Sequence, residues 1–175
     1  MLAGTAVEQP WHRHWRALLC LSQSFIFFVQ VFAVEAQAET HEGFLAYVEG
    51  HYDDASRVLR SQADAGDVDA QFLMARIAEL GLAGRADEHA AAVWYLMAAR
   101  AGDPAAQLSI GLMYAEGRGL EWNFLEAYVW LTRAMVGFPK GAGREEAAEA
   151  RRLVRSVLRP EELLRAERRL LRALG

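Results

Sequence analysis

Histidine and cysteine side chains could supply the metal ligands, the nucleophile or the general base of an enzyme. Beyond residue 38 the chain has three histidines, His41, His51 and His89, and no two of them are four residues apart as in a helix-borne metal site. The single cysteine, Cys20, can form neither an internal disulfide nor a thiolate cluster. The sequence therefore predicts no metal site and no thiol chemistry.

Two short motifs are similar to ligand-binding loops but depart from them at decisive positions. The acids between Asp64 and Asp69 have the wrong offsets for a calcium loop, so they indicate a helix end followed by an N-cap. Gly117 and Gly119 are spaced like the start of a phosphate-binding loop, yet Trp122 occupies the position of the third glycine. No strand-like segment precedes this pair, which predicts a turn between helices.

Catalytic side chains are not gathered by any other motif. The chain has no Gly-x-Ser-x-Gly elbow, and adjacent acids such as Asp53 and Asp54 point about 100° apart on a helix. Aromatic residues could form a ligand cage, but their recurrence on the second helix of both repeats favours a packing role for Trp94, Tyr95, Tyr128 and Trp130. The sequence thus favours binding over catalysis and implies no cofactor.

The composition is that of a globular protein with one domain. The chain has 175 residues, of which 53% are apolar and 24% are charged, and its formal net charge is −4. Acids outnumber bases, 23 to 19, so no overall positive field attracts nucleic acid. The sequence predicts no nucleic-acid partner.

The first 38 residues have the organisation of a signal peptide. A basic stretch at residues 12–16 precedes 18 uncharged residues at 17–34, and Ala36 and Ala38 supply a cleavage site before Glu39. This pattern predicts export to the periplasm or the medium. The alternative is that residues 17–34 remain as an inner-membrane anchor, because their length is near the minimum that spans a bilayer. Leu19 before Cys20 argues against a lipoprotein.

A repeat of 36 residues organises the rest of the chain. Residues 54–98 align without a gap onto residues 90–134 with 12 identities in 45 positions, mainly alanine, glycine and tryptophan. The spacing of apolar residues predicts helices over 70–80 and 88–101 in one unit and over 106–116 and 124–136 in the next. The repeat domain is therefore expected at residues 39–140, with units at about 41–66, 67–102 and 103–138.

The third unit resembles the Sel1-like repeat. The resemblance lies in AQLSIGLMYAEGRGL at 106–120, in AARAGDPAAQ at 98–107, and in Ala127 and Trp130. The second unit departs from the pattern at Ala75 and Ala78, where the family has glycine and tyrosine. The resemblance implies an all-α fold, a short right-handed α/α superhelical solenoid of tetratricopeptide-like helix-turn-helix repeats, that serves protein contacts rather than catalysis.

The segment 141–175 breaks the repeat and is rich in arginine. It has nine arginines against six acids, and Pro160 separates two amphipathic stretches. A C-terminal pair of capping helices is the favoured interpretation, because a solenoid needs an atypical end repeat to cover its last apolar face. The alternative is an arginine-rich helix that contacts nucleic acid or anionic lipid.

The positions expected to bind a partner are those on the first helix of each unit that differ between units. We name this set the A face: Leu73, Arg76, Leu80, Ser109, Leu112 and Glu116. A patch of leucines with both charges suits a protein or peptide. The alternatives are that Leu73 and Leu112 only pack within the solenoid, that the chain is a hydrolase of the cell envelope, or that it is a membrane-tethered adaptor.

Overall fold

The computed structural model describes residues 41–174, and all regular secondary structure in that range is helical. The predicted signal peptide, its cleavage site before Glu39 and the alternative membrane anchor all lie outside the described residues. No helix of the described part combines the length and apolar character needed to cross a bilayer. The helices are α1 (residues 41–48), α2 (Tyr52–Asp64), α3 (Val68–Leu80), α4 (Glu88–Ala101), α5 (Pro104–Glu116), α6 (Phe124–Gly137), α7 (Ala142–Val157) and α8 (Pro160–Leu174).

The ends of α3 and α5 confirm the local signals of the sequence. The carboxylates of Asp67 and Asp103 accept hydrogen bonds from backbone N–H groups three residues later, at 2.8 and 2.6 Å, so both are N-caps. Gly81 and Gly117 end the two helices in the left-handed region, with φ of 63° and 71°. An L side chain is strained in this conformation, which explains why glycine recurs there.

A buried glutamine joins each unit to the helix before it. Gln71 Nε2 donates to the carbonyl of Ala63 at 3.0 Å, and Gln107 Nε2 donates to the carbonyl of Ala99 at 3.1 Å. Both amides are buried and both partners lie eight residues upstream, near the end of the preceding helix. The recurrence of glutamine therefore has a structural cause, the satisfaction of a carbonyl at the junction between units.

Small residues allow the paired helices to approach closely. The alanines shared by α4 and α6 are fully buried, and Trp130 is 5% exposed. A Cβ on Gly111 of α5 would lie 2.8 Å from Cγ of Leu131 on α6, so this glycine is required for the contact. These residues form a buried stripe on the second helix of each unit, with Ala91, Ala98, Ala127 and Ala134 at its centre.

The two helices of the arginine-rich segment both pack on α6. Ala147 and Val154 of α7 and Ala166 of α8 are buried in one cluster with residues of α6. The two helices make few contacts with each other, so they are not a hairpin like the preceding units. α8, which begins at Pro160, packs on α6 instead of lying beside α7.

Candidate interaction face

The A face lies on α3 and α5, the first helices of the two best-matched units. Leu73, Arg76 and Leu80 follow one another at helical spacing on α3, and Ser109, Leu112 and Glu116 do the same on α5. Leu80 is 51% exposed and Glu116 is also exposed, whereas the other four are half-buried.

The two central leucines of the A face have a packing role. Leu73 contacts the buried cluster formed by α2 and α3, and Leu112 contacts the cluster formed by α5 to α8. Part of each side chain therefore belongs to the hydrophobic core, and substitution of either would alter stability as well as the surface. Leu80 projects further out, because it occupies the last turn of α3.

A polar network connects the A face to the second helix of the unit. The hydroxyl of Tyr95 on α4, which has no exposed surface, donates to Oε2 of Glu79 at 2.7 Å. Arg118, in the loop after α5, donates through Nη1 to Oε1 of Glu79 at 2.9 Å and through Nε to Oε2 of Glu116 at 2.6 Å. Arg118 thereby links two consecutive units by charge-assisted hydrogen bonds.

The network holds Glu79 ionised despite its partial burial. Burial opposes the charged form, but the hydrogen bonds from Tyr95 and Arg118 outweigh it and lower the pKa of Glu79. The pKa of Arg118 is raised, chiefly by its hydrogen bonds to Glu116 and Glu79. Burial and the bond to Glu79 raise the pKa of Tyr95, so its hydroxyl stays protonated and remains a donor.

Arg76 lies beside this network without an ion pair inside the described part of the chain. Partial burial disfavours its charge, but the hydroxyls of Tyr47 and Tyr95 and the carboxylate of Glu79 outweigh burial and raise the pKa of the guanidinium. Both oxygens of Glu79 are already engaged by Tyr95 and Arg118. Arg76 is therefore a cation on a protein surface with donors left for a partner.

The structure brings Arg76, Ser109 and Glu116 of the A face together around residues that sequence reasoning missed. Ser109 adjoins the Tyr95 hydroxyl, and Glu116 is held by Arg118. The missed residues are Tyr47, Glu79, Tyr95 and Arg118. The repeat alignment contained a signal for three of them, because Glu79, Tyr95 and Arg118 are equivalent to Ala115, Leu131 and Leu82.

The loop that carries Arg118 is fixed against the preceding unit. Gly119 has φ of 69°, and a Cβ there would lie 2.9 Å from the backbone nitrogen of His89 and closer still to the carbonyl group of Glu88. The ring Nδ1 of His89 is 3.0 Å from the Gly119 carbonyl. Gly119 thus permits the loop to touch the first turn of α4, which places Arg118 next to Glu79.

An open polar depression adjoins the network. It has a volume of about 700 Å³ and is lined by Glu79 and by residues 85–88, the loop that begins α4. Within the described residues, no group of three or more histidine, cysteine or acidic side chains could hold a metal ion. The depression offers carboxylates and one arginine, Arg85, to a partner from solvent.

The comparison with family models identifies repeats in the central part of the chain. The Sel1 repeat model matches residues 68–103 and 104–134. These ranges begin at the first residues of α3 and α5; the first contains α3 and α4, and the second contains α5 and all but the last three residues of α6. No curated protein matches the sequence.

Two solved structures are similar to this chain. One is a protective antigen present in uropathogenic Escherichia coli strains, which displays an SLR fold and is 27% identical with a TM-score of 0.67. The match covers 75% of this chain and 28% of the antigen. The other is a Sel1 repeat protein from Oxalobacter formigenes, 30% identical with a TM-score of 0.53, over 55% of this chain and 40% of that one. The chain therefore spans less than half the length of each.

Proposed function

Because this chain carries two Sel1 repeats on a helical solenoid, we propose that it is an exported, non-catalytic scaffold that binds a protein or peptide through the A face. Sel1 repeats commonly serve as scaffolds for protein–protein interaction. The A face adds to this general role a surface on which packing residues and accessible polar residues alternate.

The observation that carries the proposal is the environment of Arg76. Its guanidinium is half-buried and forms no ion pair with another described residue, and Leu80 stands exposed one turn away. A partly buried side chain has less freedom to lose on binding, so a carboxylate of a partner would meet the Arg76 cation at low entropic cost. The exposed leucine supplies the apolar contact that a bound segment needs.

A hydrolase of the cell envelope is the second candidate from the sequence. Its general acid or base would have to face the depression, and Glu79 is the side chain of the polar network that does so. Both oxygens of Glu79 accept hydrogen bonds from Tyr95 and Arg118, and its pKa is lowered. An ionised, fully engaged carboxylate is a poor proton donor, and this favours the scaffold.

The experiment that tests the proposal is partner capture with A-face variants and surface controls. The full-length protein is purified from the envelope of its source, and the proteins that remain bound are identified and bound back to Arg76→Gln and Leu80→Asp. Arg60→Gln and Val93→Asp, on the second helices, are the controls, because they make the same chemical changes at exposed positions away from the A face. Binding should fall at least about tenfold for the A-face variants alone.

Two outcomes would contradict the scaffold. Unchanged binding by Arg76→Gln and Leu80→Asp would place the contact elsewhere. Turnover of a substrate that disappears in Glu79→Gln would make the chain an enzyme.

Export is the remaining part of the proposal and rests on the sequence of residues 12–38. Mass spectrometry of the native protein should find a chain that starts at or near Glu39 in the periplasm or the medium. A chain that keeps residues 17–34 and sediments with membranes would support the membrane-tethered adaptor, and an intact chain in the cytosol would contradict export.

A further inference from the structure

The two ends of the described solenoid are apolar, although the ends of repeat proteins are usually covered by polar caps. Inside a solenoid each unit covers the apolar face of its neighbour. An uncovered first helix and an uncovered last helix therefore present the two halves of the same kind of contact.

The first end is one face of α1. Phe44, Leu45 and Val48 lie at helical spacing and are 47%, 42% and 64% exposed. The opposite face of α1 is the packed one, because a Cβ on Gly43 would lie 2.7 Å from a methyl carbon of Leu59 on α2. α1 thus contacts the solenoid with one side and leaves an apolar stripe on the other.

The last end is the side of α7 next to its buried face. Leu153 and Val157 lie one turn apart and are 60% and 56% exposed, whereas Ala147 and Val154 face α6 and are buried. In the two preceding units, the first helix is covered by the second helix of the same unit. α8 does not cover α7 in this way, because it packs on α6.

The two ends carry opposite charges. Residues 41–66, which form α1 and α2, hold five acids and two arginines. Residues 150–157, the half of α7 that carries Leu153 and Val157, hold three arginines and no acid. Two copies of the same end would bring like charges together, whereas the first end of one copy and the last end of another would bring together opposite charges and two apolar stripes.

We propose that the chain associates with a second copy of itself head to tail, with the stripe Phe44–Val48 of one copy packed against Leu153 and Val157 of the other. This contact is heterologous, since each copy uses a different surface. It leaves one end free on each copy, so it produces a series of oligomers that grows with concentration. Because the charges involved are exposed, salt weakens the association.

The test uses two differently tagged copies of the full-length chain in a mild detergent, and measures co-capture. Val48→Asp removes the first end and Leu153→Asp removes the last end, and both positions are exposed enough to accept a carboxylate. Val93→Asp on α4, 46% exposed, is the matched control. Circular dichroism melts establish that all variants are folded.

The expected pattern is specific to a head-to-tail contact. Co-capture falls at least about tenfold when both copies carry Val48→Asp or both carry Leu153→Asp. It is retained when one copy carries Val48→Asp and the other Leu153→Asp, because one intact first end and one intact last end remain. Val93→Asp behaves as the unmodified chain.

Any other pattern overturns the proposal. Loss with Val48→Asp but not with Leu153→Asp indicates a symmetric contact of the first ends. Co-capture that no substitution changes indicates association through another region, such as residues 1–40. Absence of co-capture between unmodified copies, at tens of micromolar protein and low salt, indicates that the ends stay free.

Discussion

Replacing Gly119 by alanine should destabilise the protein far more than replacing Gly117, although the two glycines have nearly the same backbone conformation. Their φ angles are 69° and 71°, so an alanine is strained by a similar amount, about 1–2 kcal/mol, at either position. The difference lies in what the new methyl group meets.

At Gly117 the nearest atom to a Cβ is Cβ of Trp122, at 3.3 Å. Trp122 is 68% exposed and can shift outward. At Gly119 the nearest atoms are backbone atoms of Glu88 and His89, in the first turn of α4. Neither can move without opening the contact between the loop and α4, which adds about 1–3 kcal/mol for the steric displacement and about 1 kcal/mol for the hydrogen bond of His89.

Gly119→Ala should therefore cost about 3–6 kcal/mol and Gly117→Ala about 1–2 kcal/mol. For a domain of this size the difference lowers Tm by about 10 °C. Thermal unfolding followed by circular dichroism at 222 nm measures it, with urea unfolding as a second measure of the free energy. Equal losses in the two variants would refute the argument, because the requirement for Gly119 would then be its φ angle alone.

Three further predictions concern side chains inside the described solenoid. Gln107→Met should destabilise by about 1–2 kcal/mol, since it removes the donor to a junction carbonyl. Gln62→Met should be neutral or stabilising, since the buried amide of Gln62 has no partner in the described part; the free energy of unfolding in urea distinguishes the two variants. Trp130→Ala should cost about 3–5 kcal/mol as a large-to-small core change, and His89→Ala, which loses one exposed hydrogen bond, less than about 1 kcal/mol; similar values would contradict the assignment of the buried stripe. The pKa of Glu79 is lowered from its ordinary value of 4.5, so its stabilising effect is present above that pH and is lost as the pH falls through the folded-state pKa. The free energy of unfolding of Glu79→Gln should therefore depend less on pH below 4.5. The same acid dependence in the variant and the unmodified protein would contradict this role.

The helices could be predicted from the sequence because short-range chemistry determines them. The expected α4, Glu88 to Ala101, agrees with the structure at both ends, and the expected α3 and α5 begin only two residues late. These two differences have one cause, because two helical residues lie between each N-cap, Asp67 or Asp103, and the alanine that the units share, Ala70 or Ala106. N-caps and left-handed glycines depend only on residues close in sequence, and each of these signals occurs in both units of the repeat.

The polar network could not be predicted, since it depends on contacts between residues 39 positions apart. Arg118 reaches Glu79 only because the loop after α5 lies on the start of α4. The sequence marked the Gly-Arg-Gly segment as a turn but gave no indication of what the arginine would meet. The position of α8 could not be predicted for the same reason, because an amphipathic helix is compatible with packing on either α6 or α7.

The contrast between recurring and differing positions has a physical basis that extends to function. Positions that recur, such as Gln71 and Gln107, make the same contact in each unit. A substitution in either unit therefore removes that contact and lowers the stability of the fold. Positions that differ are of two kinds. Some, such as Glu79, bind to a partner inside the chain and tie one unit to the next. Others, such as Arg76 and Leu80, have no described partner that accounts for their charge or exposure. These are the positions at which a bound protein would supply the missing ion pair and apolar contact.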